Sequence, residues 1–259
     1  MLRRISGLAL CLALAIAGGG SACSPATPDY APRDRTLARL PLFFYPVARN
    51  SPRAVLVFFG NDIGFWKAHD QLARLLSNHG YDVIGVDIKK YIERLPHGIA
   101  AREQAFATSI GPMIARAVAE LHADSLPLVI GGHSYGADMA LWTAVHVPPP
   151  HLVGVLALGP TARSHFYVTM RDIANIEPDV GEPGSFTIAD QLHDLSPVLR
   201  VALIRGAHDP RRPIDSVLTA AGGSRVRYTV VPFAGHSLKS LTIAGPMTDR
   251  ALDWIVTGR

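Results

Sequence analysis

Cysteine is nearly absent from this 259-residue chain, which has only Cys11 and Cys23. Cys11 falls in an N-terminal segment expected to be removed, so the mature chain keeps one thiol. That excludes an intrachain disulfide and a cysteine-based metal site. Charge is scarce too: 18% of residues are charged against 48% hydrophobic, a balance that excludes a disordered chain and allows a sizeable core. The formal net charge is +4, and it falls to +2 once Arg3 and Arg4 leave with the N-terminal segment. No long basic tract offsets so small a value, so a nucleic-acid partner is not expected. The eleven histidines include no H-E-x-x-H or similar ligand spacing, so no metal is expected. Internal repeats and low-complexity blocks are lacking. The length suits one α/β domain or two small ones.

What is present at the N-terminus reads as a targeting signal. Arg3 and Arg4 precede an apolar run from about Leu8 to Ala17, followed by Gly18-Gly19-Gly20-Ser21-Ala22. The run is too short to span a membrane and matches a secretory signal, so residues 1–22 are expected to be cleaved and the protein exported. Cys23 directly follows the small residues, as in a bacterial lipoprotein signal, where that cysteine becomes the lipidated first residue. Gly20 stands where such signals usually carry leucine, and plain cleavage after Ala22 is the alternative. Residues 23–36, with Pro, Ala, Asp and Thr, read as a tether, and 37–259 as the folded domain.

Along the domain, apolar runs alternate with amphipathic stretches. Strands are expected at Leu37–Val47 (an edge strand, since Pro41 and Pro46 lack ladder donors), Ala54–Phe59, Asp82–Ile88, Leu128–Ile130, Leu152–Leu158, Val201–Arg205 and Val226–Val231. Helices are expected at about Phe65–Asn78, Arg102–His122, Ala137–Val147 and Ile243–Val256, with a kink at Gly111-Pro112. This alternation predicts a mostly parallel, doubly wound sheet. Thr161–Pro197 lacks periodicity, which fits a lid or a plain surface excursion equally well.

The organising stretch is Leu128 to Asp138, L-V-I-G-G-H-S-Y-G-A-D. A strand runs into Gly132-His133-Ser134-Tyr135-Gly136, and a helix follows. This is the G-x-S-x-G nucleophile elbow, in which glycines let strand and helix approach around a strained serine. A serine hydroxyl needs a base, and the base needs an orienting acid. In the α/β-hydrolase fold they follow in the order acid, then histidine. Asp209 and His236 each end a strand-then-turn segment, which brings them to the sheet edge where Ser134 sits, so the expected catalytic set is Ser134, Asp209 and His236. Asp215 is the alternative acid, expected inside the next helix. Asp138 reads as a first-turn carboxylate favoured by the helix dipole, and His133 should point away from Ser134. Oxyanion donors are expected from the backbone of Tyr135 and from Asn61 in the loop Gly60–Gly64. That loop lacks G-x-G-x-x-G, so no nucleotide cofactor is expected.

With these residues in view, the chain resembles the bacterial virulence-protein VirJ family, whose longer relatives are called AcvB, over roughly Leu37 to Trp254. The resemblance rests on F-F-G-N-D-I-G-F-W (Phe58–Trp66), V-I-G-V-D-I-K-K-Y (Val83–Tyr91) and G-H-S-Y-G-A-D-M (Gly132–Met139). The family's loop is usually shorter and richer in glycine, and its acid region often carries a glutamate. The resemblance implies an exported ester hydrolase acting on lysyl- or alanyl-phosphatidylglycerol, a membrane phospholipid. Asp62 would face the substrate ammonium, and Lys89, Lys90 and Arg94 would meet a lipid phosphate. A generic exported esterase, lipase or thioesterase is the competing enzyme reading. A non-catalytic periplasmic virulence or secretion assembly factor is the rival from outside enzymology.

Overall fold

A computed structural model describes residues 26–48, 51–174, 176–238, 241 and 243–259. The expected signal segment and Cys23 lie outside the described residues.

Seven strands form the central sheet: β1 (Leu42–Tyr45), β2 (Ala54–Phe59), β3 (Tyr81–Val86), β4 (Leu128–His133), β5 (Leu152–Leu158), and two more beyond a small hairpin. The hairpin pairs β6 (Arg163–His165) with β7 (Ser185–Thr187) antiparallel, and the sheet resumes with β8 (Arg200–Gly206) and β9 (Val226–Val231). Strand order is β1-β3-β2-β4-β5-β8-β9. Only β1 runs antiparallel, and as the edge strand it needs donors on one side alone, which accommodates its flanking prolines. The expected edge strand is shorter than Leu37–Val47, because Leu37–Arg39 forms a 3-10 turn before it.

Eight α-helices complete the described fold: α1 (Lys67–Asn78), α2 (Ile88–Glu93), α3 (Ile99–Glu120), α4 (Tyr135–His146), α5 (Met170–Ile173), α6 (Ile188–Asp194), α7 (Asp215–Gly222) and α8 (Gly245–Thr257). β2, β3 and β4 are buried along their whole length, as strands packed on both faces must be. Alternate side chains of the sheet's strands feed two apolar layers, one holding Val55, Val57, Ile84, Ile130 and Leu203, the other Leu56, Phe58, Val83, Val129 and Leu156. α3 continues through Pro112. Asp87 ends β3 and caps α2 by accepting a hydrogen bond from the Lys90 amide, so Ile88 belongs to a helix and not to the expected strand.

The expected tether is also corrected. From Thr27 onward the segment lies against the domain. The Thr27 amide donates to Asp70 Oδ1, Tyr30 stacks edge-on against Phe44, and the Tyr30 hydroxyl donates to Glu120 Oε1 at 2.6 Å. Glu120 also accepts the Arg33 and Asp34 amides. An aromatic ring with an apolar partner and a carboxylate to bond is worth docking, which polarity alone did not reveal. Among the described residues no helix is long and apolar enough to cross a membrane.

Candidate active site

The sharp turn between β4 and α4 places Ser134 at φ 54°, ψ −123°, a backbone conformation that costs a non-glycine residue on the order of 1–3 kcal/mol. Both flanking glycines are required sterically. A Cβ on Gly132 would lie 2.3 Å from the Gly136 carbonyl, and one on Gly136 would lie 2.1 Å from the Gly60 carbonyl oxygen. The second contact also seats the loop after β2 directly against the elbow. Tyr135 is the first residue of α4, so its amide has no intrahelical acceptor. The Gly60–Gly64 loop closes by a hydrogen bond from the Gly64 amide to the Asn61 carbonyl.

The loop after β8 carries Asp209 and the loop after β9 carries His236, and the structure brings both to Ser134. His236 Nε2 is 2.9 Å from Ser134 Oγ, and His236 Nδ1 is 2.9 Å from Asp209 Oδ2. Asp209 is completely covered, while the His236 ring is partly open to solvent. Burial alone would raise the Asp209 carboxyl. The His236 hydrogen bond and charge, the Arg211 amide and the Arg205 cation outweigh it and hold the group well below the usual carboxylate range. An ionised Asp209 fixes the tautomer with hydrogen on Nδ1 and leaves Nε2 as the acceptor facing the serine hydroxyl.

Three further features were not expected. Arg205, at the end of an apolar strand, has no exposed surface; it donates to Asp209 Oδ2 at 2.9 Å, Asp215 Oδ1 at 2.6 Å and the Pro160 carbonyl at 2.6 Å. A charge in the run V-A-L-I-R-G, with aspartates four and ten residues on, was the available signal, since a buried cation needs partners. Asp215 opens α7 and bonds Arg205 and the Tyr228 hydroxyl at 2.7 Å, so it lies one shell behind the acid position and not beside His236. Arg211 pairs with Glu177 Oε1 at 3.2 Å and brings Nη1 within 2.9 Å of His236 Nε2, the same nitrogen that faces Ser134.

His133 makes no hydrogen bond to the Ser134 hydroxyl among the described residues. Its Nε2 is 3.1 Å from the His236 carbonyl oxygen, and burial, followed by the charge of His236, pushes it down to about 4. A neutral His133 then donates to that carbonyl and steadies the loop carrying His236. His208 is exposed. Asp138 does occupy the first turn of α4, but fully buried and bonded to Thr161.

Beside Ser134 lies a small pocket lined by Asp62, Tyr135, Asp138, Thr161, Arg163, Ser164, Asp172, Ile176, Glu177, Pro178 and Arg211. The aperiodic Thr161–Pro197 segment supplies most of this wall. Four carboxylates face two arginines. Asp172 is engaged by His165 at 3.0 Å and by Thr169, and Glu177 by Arg211, whereas the Asp62 carboxylate makes no side-chain hydrogen bond among the described residues. Burial raises the Asp62 carboxyl above its ordinary value. Lys89, Lys90 and Arg94 do not line the pocket; they bond Glu93, Asp87 and the Arg39 carbonyl. Among the described residues no cluster of His, Cys, Asp or Glu is arranged to hold a metal ion.

An elbow between a parallel strand and a helix, with acid and histidine arriving on later strand-end loops, defines the α/β-hydrolase fold. Solved structures bear this out. The chain is similar to an esterase domain from Rhodothermus marinus (16% identity, 83% of this chain and 91% of that one, TM-score 0.56). It is similar to a soluble variant of the monoglyceride lipase from Saccharomyces cerevisiae (16%, 83% and 91%, TM-score 0.59). A third is an esterase from Pyrobaculum calidifontis (16%, 84% and 80%, TM-score 0.57). At such identities the likeness is one of fold. No family model matches the chain, and no curated protein matches it in sequence.

Proposed function

We propose that this chain is a serine ester hydrolase with Ser134 as nucleophile, His236 as base and Asp209 as orienting acid. The observation that carries the reading is the continuous 2.9 Å and 2.9 Å hydrogen-bonded relay from Ser134 through His236 to Asp209 at the mouth of a pocket. Ser134 Oγ attacks the ester carbonyl while His236 Nε2 takes its proton. The oxyanion forms against the Tyr135 and Asn61 amides, and His236 returns the proton to the departing alcohol. Water then repeats the sequence on the acyl-enzyme. Arg211 must withdraw its Nη1 from Nε2 as substrate enters, while its Nε pairs with Glu177.

The substrate we infer is aminoacyl-phosphatidylglycerol, cleaved between the amino acid and the lipid headgroup. Three supports combine. The pocket is small and lined by carboxylates, whereas a fatty chain needs a long apolar tunnel. Asp62, whose carboxyl is raised by burial, lines that pocket and in this reading supplies the counter-charge for an α-ammonium group. The sequence resembles the VirJ/AcvB family, and its N-terminal segment reads as an export signal. In this reading the protein is periplasmic and is tethered through lipid on Cys23; Cys23→Ser should release it to the soluble periplasmic fraction, and an unmodified Cys23 in the intact mass would end the lipoprotein reading. Incubating purified protein with lysyl- or alanyl-phosphatidylglycerol should release free amino acid and leave both fatty chains attached, and Ser134→Ala should abolish the release. Free fatty acid and lysolipid as products would make it a lipase instead.

A further inference from the structure

Arg205 is the largest fully buried side chain among the described residues, and it is charged. Its position in β8 falls on the sheet face of Val201 and Leu203, which belong to an apolar layer, so an aliphatic side chain would continue the pattern. Taking a cation out of water is expensive, and apolar residues of similar volume in place of a buried ion pair are often as stable or more so. Stability therefore gives no reason for an arginine here. The contacts do. Nη1 donates at 2.9 Å to Asp209 Oδ2, the same oxygen that lies 2.9 Å from His236 Nδ1. Nε donates to Asp215 Oδ1 and Nη2 to the Pro160 carbonyl, both at 2.6 Å. Asp215 is itself held, its Oδ2 accepting the Tyr228 hydroxyl at 2.7 Å.

We propose that Arg205 is a positioning residue of the relay: its guanidinium, anchored on Asp215 and the Pro160 carbonyl, fixes Asp209 Oδ2 in line with His236 Nδ1. The inference rests on the ester-hydrolase reading of the site and deepens it. A guanidinium is a planar, rigid fork, so pinning Nε and Nη2 leaves Nη1 aimed at one point. A carboxylate, by contrast, turns easily about its last torsion. Asp209 Oδ1 accepts the Arg211 amide at 2.9 Å, a bond within its own loop. With that bond alone, Oδ2 would follow the imidazole it has to orient. Arg205 supplies an anchor that does not depend on His236, and ties the acid to α7 and to the segment after β5.

The experiment measures kcat and KM on p-nitrophenyl acetate, with thermal melting and the downfield proton resonance of the His236 Nδ1–H as further readouts. Arg205→Lys keeps the charge and loses the fork. The double variant Arg205→Met/Asp215→Leu removes both charges together, and should still melt cooperatively, because an apolar pair of similar volume takes the place of the ions. Both variants should lose about 10²-fold in kcat, the cost of a small misplacement in a catalytic group, with KM within about twofold of wild type. In both, the Nδ1–H resonance should move or vanish. A kcat within about threefold of wild type in either variant, a loss carried by KM, or an unmoved resonance overturns the inference while the hydrolase reading stands. If Arg205→Lys does not fold, the double variant decides. A double variant without cooperative melting also overturns the inference, since the arginine would then be there for stability. Wild-type protein that does not cleave the ester removes the hydrolase reading, and this inference falls with it.

Discussion

Asp138 is a buried carboxyl group with no ion-pair partner among the described residues, and its proton can be tested directly. Its Oδ1 accepts the Thr161 amide at 2.9 Å, and its Oδ2 lies 2.7 Å from Thr161 Oγ1. The same hydroxyl is 2.9 Å from the Arg163 carbonyl oxygen. A hydroxyl has one proton to give. Given to the carbonyl, it leaves the 2.7 Å contact to be made by a proton on Asp138 itself. Burial pushes this carboxyl from 3.8 up to about 7, with the Thr161 hydrogen bonds restraining the shift. The folded state therefore binds more protons than the unfolded chain between these values, and stability must fall as pH rises through that window. A shift of about 3 units at 1.36 kcal/mol each is about 4 kcal/mol, fully present below the unfolded pKa and gone once pH passes about 7. Asp138→Asn keeps an acceptor for the Thr161 amide and a donor for its hydroxyl but cannot titrate. Followed by differential scanning fluorimetry from about pH 4.5, where about 3 kcal/mol of this remains, to about pH 8, the wild-type melting temperature should drop relative to the variant by about 6–13 °C. Melting curves that stay parallel across the range would refute the buried-proton argument.

Three further outcomes follow from the charges behind the histidine. Arg205→Met strands Asp209 and Asp215 without their shared cation, and should cost about 3–5 kcal/mol, read as a fall of several degrees or more in melting temperature; an unchanged melt would mean that the trio is not held as described. Asp209→Asn should melt cooperatively yet lose turnover by about 10⁴-fold, the loss seen in the best-studied triad. Asp215→Asn should lower stability more than turnover, and the opposite pattern would reassign the acid.

The sheet was readable because its strands are covered on both faces. Continuous apolar runs such as Ala54–Phe59 and Leu152–Leu158 leave little choice of structure, and both form strands with the expected bounds. The elbow was readable for a related reason: Gly132, Ser134 and Gly136 answer a local steric demand, written in five consecutive residues. Element ends were less legible, as at Ile88, where the Asp87 cap and not hydropathy decides that a helix begins. The docked segment after Thr27 was missed because its composition is polar and its partners, Asp70, Phe44 and Glu120, are distant in sequence.

By itself, then, the sequence determined the parallel sheet, the elbow and three residues in the right order, since periodicity and glycine spacing are properties of neighbours along the chain. Only the tertiary structure decided that His236 stands 2.9 Å from both Ser134 and Asp209, and that Asp215 is bound through Arg205 one shell behind. It alone decided that the aperiodic Thr161–Pro197 segment walls a pocket of carboxylates and that Arg211 reaches His236 Nε2. Hydrogen bonds and ion pairs between loops that share no periodicity depend on distance in space, which no local pattern encodes.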